Sequence, residues 1–178
     1  STWMAIKASL SSLTPLVSAG YRFTLASLLI YALIKFKKAP IIADKTAIVI
    51  YIMLGLFSFY IPFGLVYWGE QYVPSGLAAV LFAVFPFFVA FFFHFAVPDE
   101  KIGAYRIAGM VLGFSGIVII FSDSFGGDVT SYTQGMIAIF VSAVIQASMV
   151  VMVKKYGQHL NPLSMNLLPM LIAGVLFL

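Results

Sequence analysis

The chain has 178 residues, 62% of them hydrophobic and 9% charged, with no cysteine and a net charge of +4; its mean hydropathy is +1.08. A water-soluble domain is excluded, because a chain of this size has no core large enough to hide that much apolar surface, so the bilayer is the solvent. The lack of cysteine excludes disulfides, thiolate nucleophiles and Cys-based metal sites. The basic residues flank apolar segments, as membrane orientation requires, so no nucleic-acid partner is implied.

A helix needs about 20 apolar residues to cross the hydrocarbon core. Ser1 to about Leu10 is the end of one such segment. The second runs from about Pro15 to Phe36, the third from about Ala47 to Trp68 and the fourth from about Pro74 to Val97. The fifth covers about Ile102 to Phe121 and the sixth about Thr133 to Val153, and the seventh opens at Pro162. The expected fold is an all-α membrane bundle of about seven helices. Because the chain starts and stops inside apolar stretches, it reads as a piece cut within a membrane helix at both ends.

The breaks alternate in charge. Lys35, Lys37, Lys38, Lys45, Lys101, Arg106, Lys154 and Lys155 fall on one side, and Glu70, Asp123 and Asp128 on the other. The positive-inside rule puts the basic side in the cytoplasm. Tyr67, Trp68 and Tyr72 suit an aromatic belt at the outer interface. Ser122 to Tyr132, rich in Ser, Gly and Asp, reads as a flexible linker. On either side of it lies an echo: Lys7 to Pro15 and Lys154 to Pro162 share the Lys-to-Pro spacing, with Leu13 matching Leu160 and Leu16 matching Leu163. An odd number of helices separates the copies, so they run in opposite directions, as in inverted-repeat transporters.

Two cations break the loop pattern. Lys7 and Arg22 lie about one to two turns inside the outer surface, where a charge costs around 3 kcal/mol on insertion scales. Either they line or brace a polar pathway, with Glu70 as counter-ion and Arg22 in a structural ion pair, or both snorkel to the headgroups. Pro62 and Pro86 stand near the middle of the third and fourth segments and free the carbonyls of Ser58 and Phe82. Such breaks mark either a binding site or a packing kink. Gln146 and Asn166 contact either a solute or a facing helix. His94 reads as interfacial, and Gly109, Gly113 and Gly116 as a face for close packing within the monomer. No H-E-x-x-H, G-x-S-x-G or P-loop motif occurs, and neither a cofactor, a metal site nor a catalytic residue is expected.

Several stretches together resemble the EamA-type permeases of the drug/metabolite transporter superfamily. They are W-M-A-I-K (Trp3–Lys7), P-L-V-S-A-G-Y-R-F (Pro15–Phe23), Y-W-G-E-Q-Y-V-P-S-G-L-A-A-V-L-F-A-V-F-P (Tyr67–Pro86), D-E-K (Asp99–Lys101) and G-M-V-L-G-F-S-G-I-V-I-I (Gly109–Ile120). The resemblance implies a ten-helix transporter of two inverted repeats. Residues 1–122 would be the first repeat, 123–132 an extracytoplasmic linker and 133–178 the start of the second. It implies a central cavity and alternating-access movement of small metabolites, often export, amino acids and related compounds included. By that analogy Trp3, Lys7, Tyr60, Tyr67, Phe82, Pro86, Ser142 and Gln146 line the pathway. The rival readings are a non-transport scaffold or assembly subunit and, less favoured for want of catalytic groups, a membrane-embedded enzyme. The expected location is the plasma membrane, the inner membrane of a bacterium, with lipid and an unidentified small solute as partners.

Overall fold

The structure is a computed structural model that describes residues 15–38, 40–96, 103–120 and 129–178. Trp3, Lys7, Lys101, Asp123 and Asp128 lie outside the described residues. Among the described residues all regular structure is helical, as membrane-embedded backbone requires outside a closed barrel. The protein is an all-α, multi-helix membrane bundle.

Helix α1 (Pro15–Lys37) begins on a proline, whose missing N–H is no loss in a first turn. It stops at Lys38, which adopts the left-handed conformation (φ 49°) usually left to glycine. The chain then crosses to Asp44, whose side chain accepts a 2.7 Å hydrogen bond from the Ala47 N–H and caps α2 (Lys45–Leu54). Helix α2 continues through a π-helical segment (Gly55–Tyr60) into α3 (Ile61–Gly69). Together they form one apolar rod of 25 residues, about 37 Å long at an ordinary helical rise and sufficient to cross a bilayer.

Pro62, in the first turn of α3, explains the π segment. Its ring would clash with the turn before it, and it has no N–H to close that turn. Widening the turn admits it: the Ile61 N–H reaches back to the Leu56 carbonyl, five residues earlier. The fourth segment, expected as one helix, is two. Helix α4 (Ser75–Phe82) ends where the Val84 N–H turns to the Leu81 carbonyl at 3.3 Å, and α5 (Phe85–Ala96) restarts with Pro86 in its first turn.

Helix α6 (Ala104–Ile120) follows, then α7 (Val129–Tyr156) and α8 (Ser164–Phe177). Helix α7 begins earlier than the sequence suggests and absorbs residues 129–132 of the expected linker. It ends at Gly157, whose N–H bonds the Val153 carbonyl at 2.7 Å, and the Asn161 side chain accepts from the Leu163 N–H to start α8. Among the described residues four helical stretches are long and apolar enough to span a membrane, namely Leu16–Lys37, Lys45–Gly69, Ser75–Ala96 and Tyr132–Tyr156; α8 and part of α6 are shorter apolar helices.

Helix α1 packs along α8, while α7 packs against α3 on one side and α5 on the other. Lipid removes the hydrophobic drive between helices, so close packing and hydrogen bonds must hold them. Two glycine pairs permit that approach. A Cβ at Gly135 of α7 would lie 2.5 Å from Val73 Cγ2 and 2.7 Å from the Gly69 carbonyl oxygen. A Cβ at Gly174 of α8 would lie 2.6 Å from Thr24 Oγ1 and 3.3 Å from the Gly20 carbonyl oxygen of α1. The glycines of α6 differ from expectation: among the described residues nothing lies within 4 Å of the Cβ positions of Gly109, Gly113 and Gly116. Helix α6 meets its neighbours on another face, where Phe114 sits edge-on to Phe87 at 5.8 Å.

The bundle has two distinct ends. Lys35, Lys37, Lys38, Lys45, Lys154 and Lys155 flank one of them, where Ile42, Tyr51 and Leu160 share a core cluster. At the other, Val73 and Leu77 pack on Ile139, with Tyr132 and Met136 against them.

Candidate functional site

The middle of the bundle is where helical regularity fails. The π segment of the long rod lies against α8, and α8 carries a buried proline of its own, Pro169. The two irregularities touch: a Cβ at Gly55 would lie 3.0 Å from Ile172 Cγ2 and 3.3 Å from the Pro169 carbonyl oxygen. A proline inside a helix frees a backbone carbonyl of the preceding turn, which a bound solute or a neighbouring group can satisfy.

Above the contact is an aromatic layer. Phe23 of α1 meets Phe63 edge-on at 5.0 Å and stacks near Phe177 of α8 at 6.1 Å. Tyr60 lies 4.7 Å from Phe177. Leu16, Tyr60, Ile61, Gly64, Leu65, Trp68, Gln71 and Phe177 line a groove of about 290 Å³. Gly64 forms part of its floor, with only the Phe177 ring near the position a Cβ would take, at 3.6 Å.

Arg22 reaches this layer from α1. Its Nη1 donates a 2.6 Å hydrogen bond to the hydroxyl of Tyr67, a side chain only 1% exposed. Glu70 lies one turn beyond Tyr67, is buried, and acts electrostatically on the same phenol. Arg22 thus meets the helix that carries Glu70, and its hydrogen bond goes to Tyr67. Tyr67 points inward and takes no part in the outer aromatic belt, whereas Trp68 and Tyr72 are exposed with ring centroids 5.0 Å apart.

The remaining pathway candidates fall along α7 and the α4–α5 break. Phe82 packs on the Leu77–Ile139 cluster and stacks on Phe85 at 5.7 Å. Ser142 is fully buried, and its hydroxyl donates to the Ile139 carbonyl in its own helix at 2.6 Å. Gln146 follows one turn later, partly buried. Pro86 is exposed on the bundle surface. Tyr60 and Tyr67 therefore come together on the α8 side, apart from Phe82, Ser142 and Gln146. Asn166 is exposed in the first turn of α8 and donates to the Pro162 carbonyl at 2.8 Å; His94 is exposed beside Phe95. Pro169 and Gly55 were not singled out from the sequence. A proline at mid-helix was visible there, but its contact with the other interrupted helix was not.

The EamA-like transporter family model matches residues 1–122, well over half of the chain. The chain belongs to the EamA-like transporter family. This EamA-like chain is 27% identical over 175 residues to protein PagO of Salmonella typhimurium, covering 98% of itself and 57% of that protein. It is 29% identical over 178 residues to a transporter encoded in the trpA 3′ region of Buchnera aphidicola subsp. Schlechtendalia chinensis, covering 99% and 58%. It is 30% identical over 185 residues to the inner membrane transporter YedA of Escherichia coli K12, covering 100% and 56%. The chain thus spans little more than half the length of the curated relatives it matches. No solved structure matches it. Family membership and the apolar helices make it a multi-pass protein of the inner membrane.

Proposed function

We propose that this EamA-like chain supplies the first repeat and the start of the second in a permease that moves small organic solutes by alternating access, and that it carries out no covalent chemistry. The observation behind this reading is the contact between the π segment at Gly55–Tyr60 and the Pro169 region of α8. The π-helical rod belongs to residues 1–122 and the proline-bearing helix to residues 133–178, and an inverted-repeat transporter places its solute between the repeats. Tyr60, Tyr67 and Arg22 lie beside that contact on the same side of α8. Trp3 and Lys7, carried by the first segment, complete the proposed pathway, with Phe82, Ser142 and Gln146 on its far wall; Pro86, exposed on the bundle surface, is left out of it. Arg22 and Glu70 hold the outer part of the wall through Tyr67.

The test is solute flux into vesicles holding the purified full-length protein. Saturable entry of a solute that leaves the vesicles chemically unchanged supports the permease. Turnover without translocation would make the protein an enzyme.

A further inference from the structure

Two buried hydroxyls at the basic end have a job that helix packing does not explain. Tyr51 of α2 is 2% exposed, and its hydroxyl donates to the Ile42 carbonyl at 3.0 Å. Ser164, the first residue of α8, is fully buried, and its hydroxyl lies 3.4 Å from the Pro40 carbonyl oxygen, which accepts from it. Pro40 and Ile42 both belong to the strap between α1 and α2, so the strap is tied to α2 by Tyr51 and to α8 by Ser164.

The strap is irregular backbone at the end of a membrane bundle. Its carbonyls need donors, and an unsatisfied buried carbonyl costs free energy comparable to a lost hydrogen bond. Tyr51 fixes the strap on the helix it leads into, and Ser164 reaches that strap only while α8 stays beside α2. The chain between α7 and α8 closes the same contact through Leu160, which packs with Ala47, Ile50, Tyr51 and Leu54. Met149, Met152 and Met165 surround them. Methionine side chains repack at little cost, which suits a surface that parts and recloses. At the opposite end Gly69 and Gly135 bring two helix backbones into close approach, each glycine meeting the other's carbonyl oxygen.

We propose that Tyr51 and Ser164 form a latch that closes the basic end of the bundle: Tyr51 holds the α1–α2 strap in position on α2, and the Ser164 bond to that strap breaks when this end opens. The proposal rests on the alternating-access reading above. It needs no knowledge of the solute.

The experiment uses the full-length protein without other cysteines, carrying Leu160→Cys at the basic end or Val73→Cys at the other. Each is combined with Tyr51→Phe or Ser164→Ala, which remove a hydroxyl and keep the surrounding bulk. Losing one hydrogen bond of ordinary net strength shifts a two-state equilibrium by about two- to tenfold. The expected result is a rise of that size in the rate at which an impermeant maleimide labels position 160, with labelling at position 73 unchanged or slower. Unchanged labelling at 160 in both variants overturns the latch. An equal rise at 73 also overturns it, because the hydroxyls then only stabilise the fold. Solute flux is measured separately: selective labelling at 160 without flux of any solute would sink the permease reading and leave the latch standing.

Discussion

The Arg22 guanidinium donates a 2.6 Å hydrogen bond to the Tyr67 hydroxyl, joining α1 to α3 one turn before the buried carboxylate of Glu70. A cation inside a span needs such a partner, because insertion of the charge costs around 3 kcal/mol. Hydrogen bonds to charged groups contribute about 1.5–3 kcal/mol. Tyr67→Phe should therefore lower the thermal stability of the detergent-solubilised protein by about 2 kcal/mol. Adding Arg22→Ala should cost less than the sum of the two single changes. Additive losses, or two single variants as stable as the wild type, would show that Arg22 merely extends to the headgroups.

The glycine crossings make opposite predictions for glycines of similar appearance. Gly135→Ala forces a methyl to within 2.5 Å of Val73 Cγ2 and 2.7 Å of the Gly69 carbonyl. Overpacking of this kind costs about 1–3 kcal/mol, and the loss should appear as a lower melting temperature. Gly113→Ala meets nothing within 4 Å among the described residues and removes a glycine from a helix interior, so the packing of those residues should tolerate it. Melting curves of the two variants, taken side by side, check the contrast.

Much of the fold is legible in the sequence because bilayer thickness is a strong constraint. The second segment, read as Pro15–Phe36, is α1 at Pro15–Lys37, and the third, read as Ala47–Trp68, is the rod Lys45–Gly69. Pro62 and Pro86 correctly mark where helices break. The form of each break was not legible, because it depends on which carbonyl the next N–H finds. Pro62 widens a turn into a π segment, whereas Pro86 restarts a helix after Ala83–Val84. The small-residue pattern of α6 gave no sign that none of the described residues packs on it, and the lone Gly69 and Gly135 gave none that they touch. Spacing along one helix cannot report what lies opposite. Charge pointed from Arg22 to the helix that carries Glu70, but the hydrogen bond Arg22 makes there, to the uncharged Tyr67, was not legible.

The two prolines should separate in function. Pro62→Ala restores an N–H beside the π segment and lets the turn tighten toward an ordinary helix, which alters the contact with α8. Pro86→Ala changes an exposed first-turn position where proline removes no needed bond. Solute flux by the full-length protein should fall several-fold for Pro62→Ala at normal expression and remain close to wild type for Pro86→Ala. Equal flux in both would reduce Pro62 to a packing kink.

Orientation follows from the lysines. Lys37 and Lys155 belong to one end of the bundle, and Gln71 lies at the other. The basic end should face the cytoplasm. In intact cells, single cysteines introduced at 37 and 155 should resist an impermeant thiol reagent while one at 71 reacts. The reverse pattern would invert the topology.

The account stands most directly on movement of solute. Full-length protein in sealed vesicles, offered a mixture of small metabolites, should carry at least one of them inward or outward with saturable kinetics. That flux should fall in Pro62→Ala at unchanged protein content. Vesicles holding folded protein that take up and release every compound no faster than empty ones would contradict it.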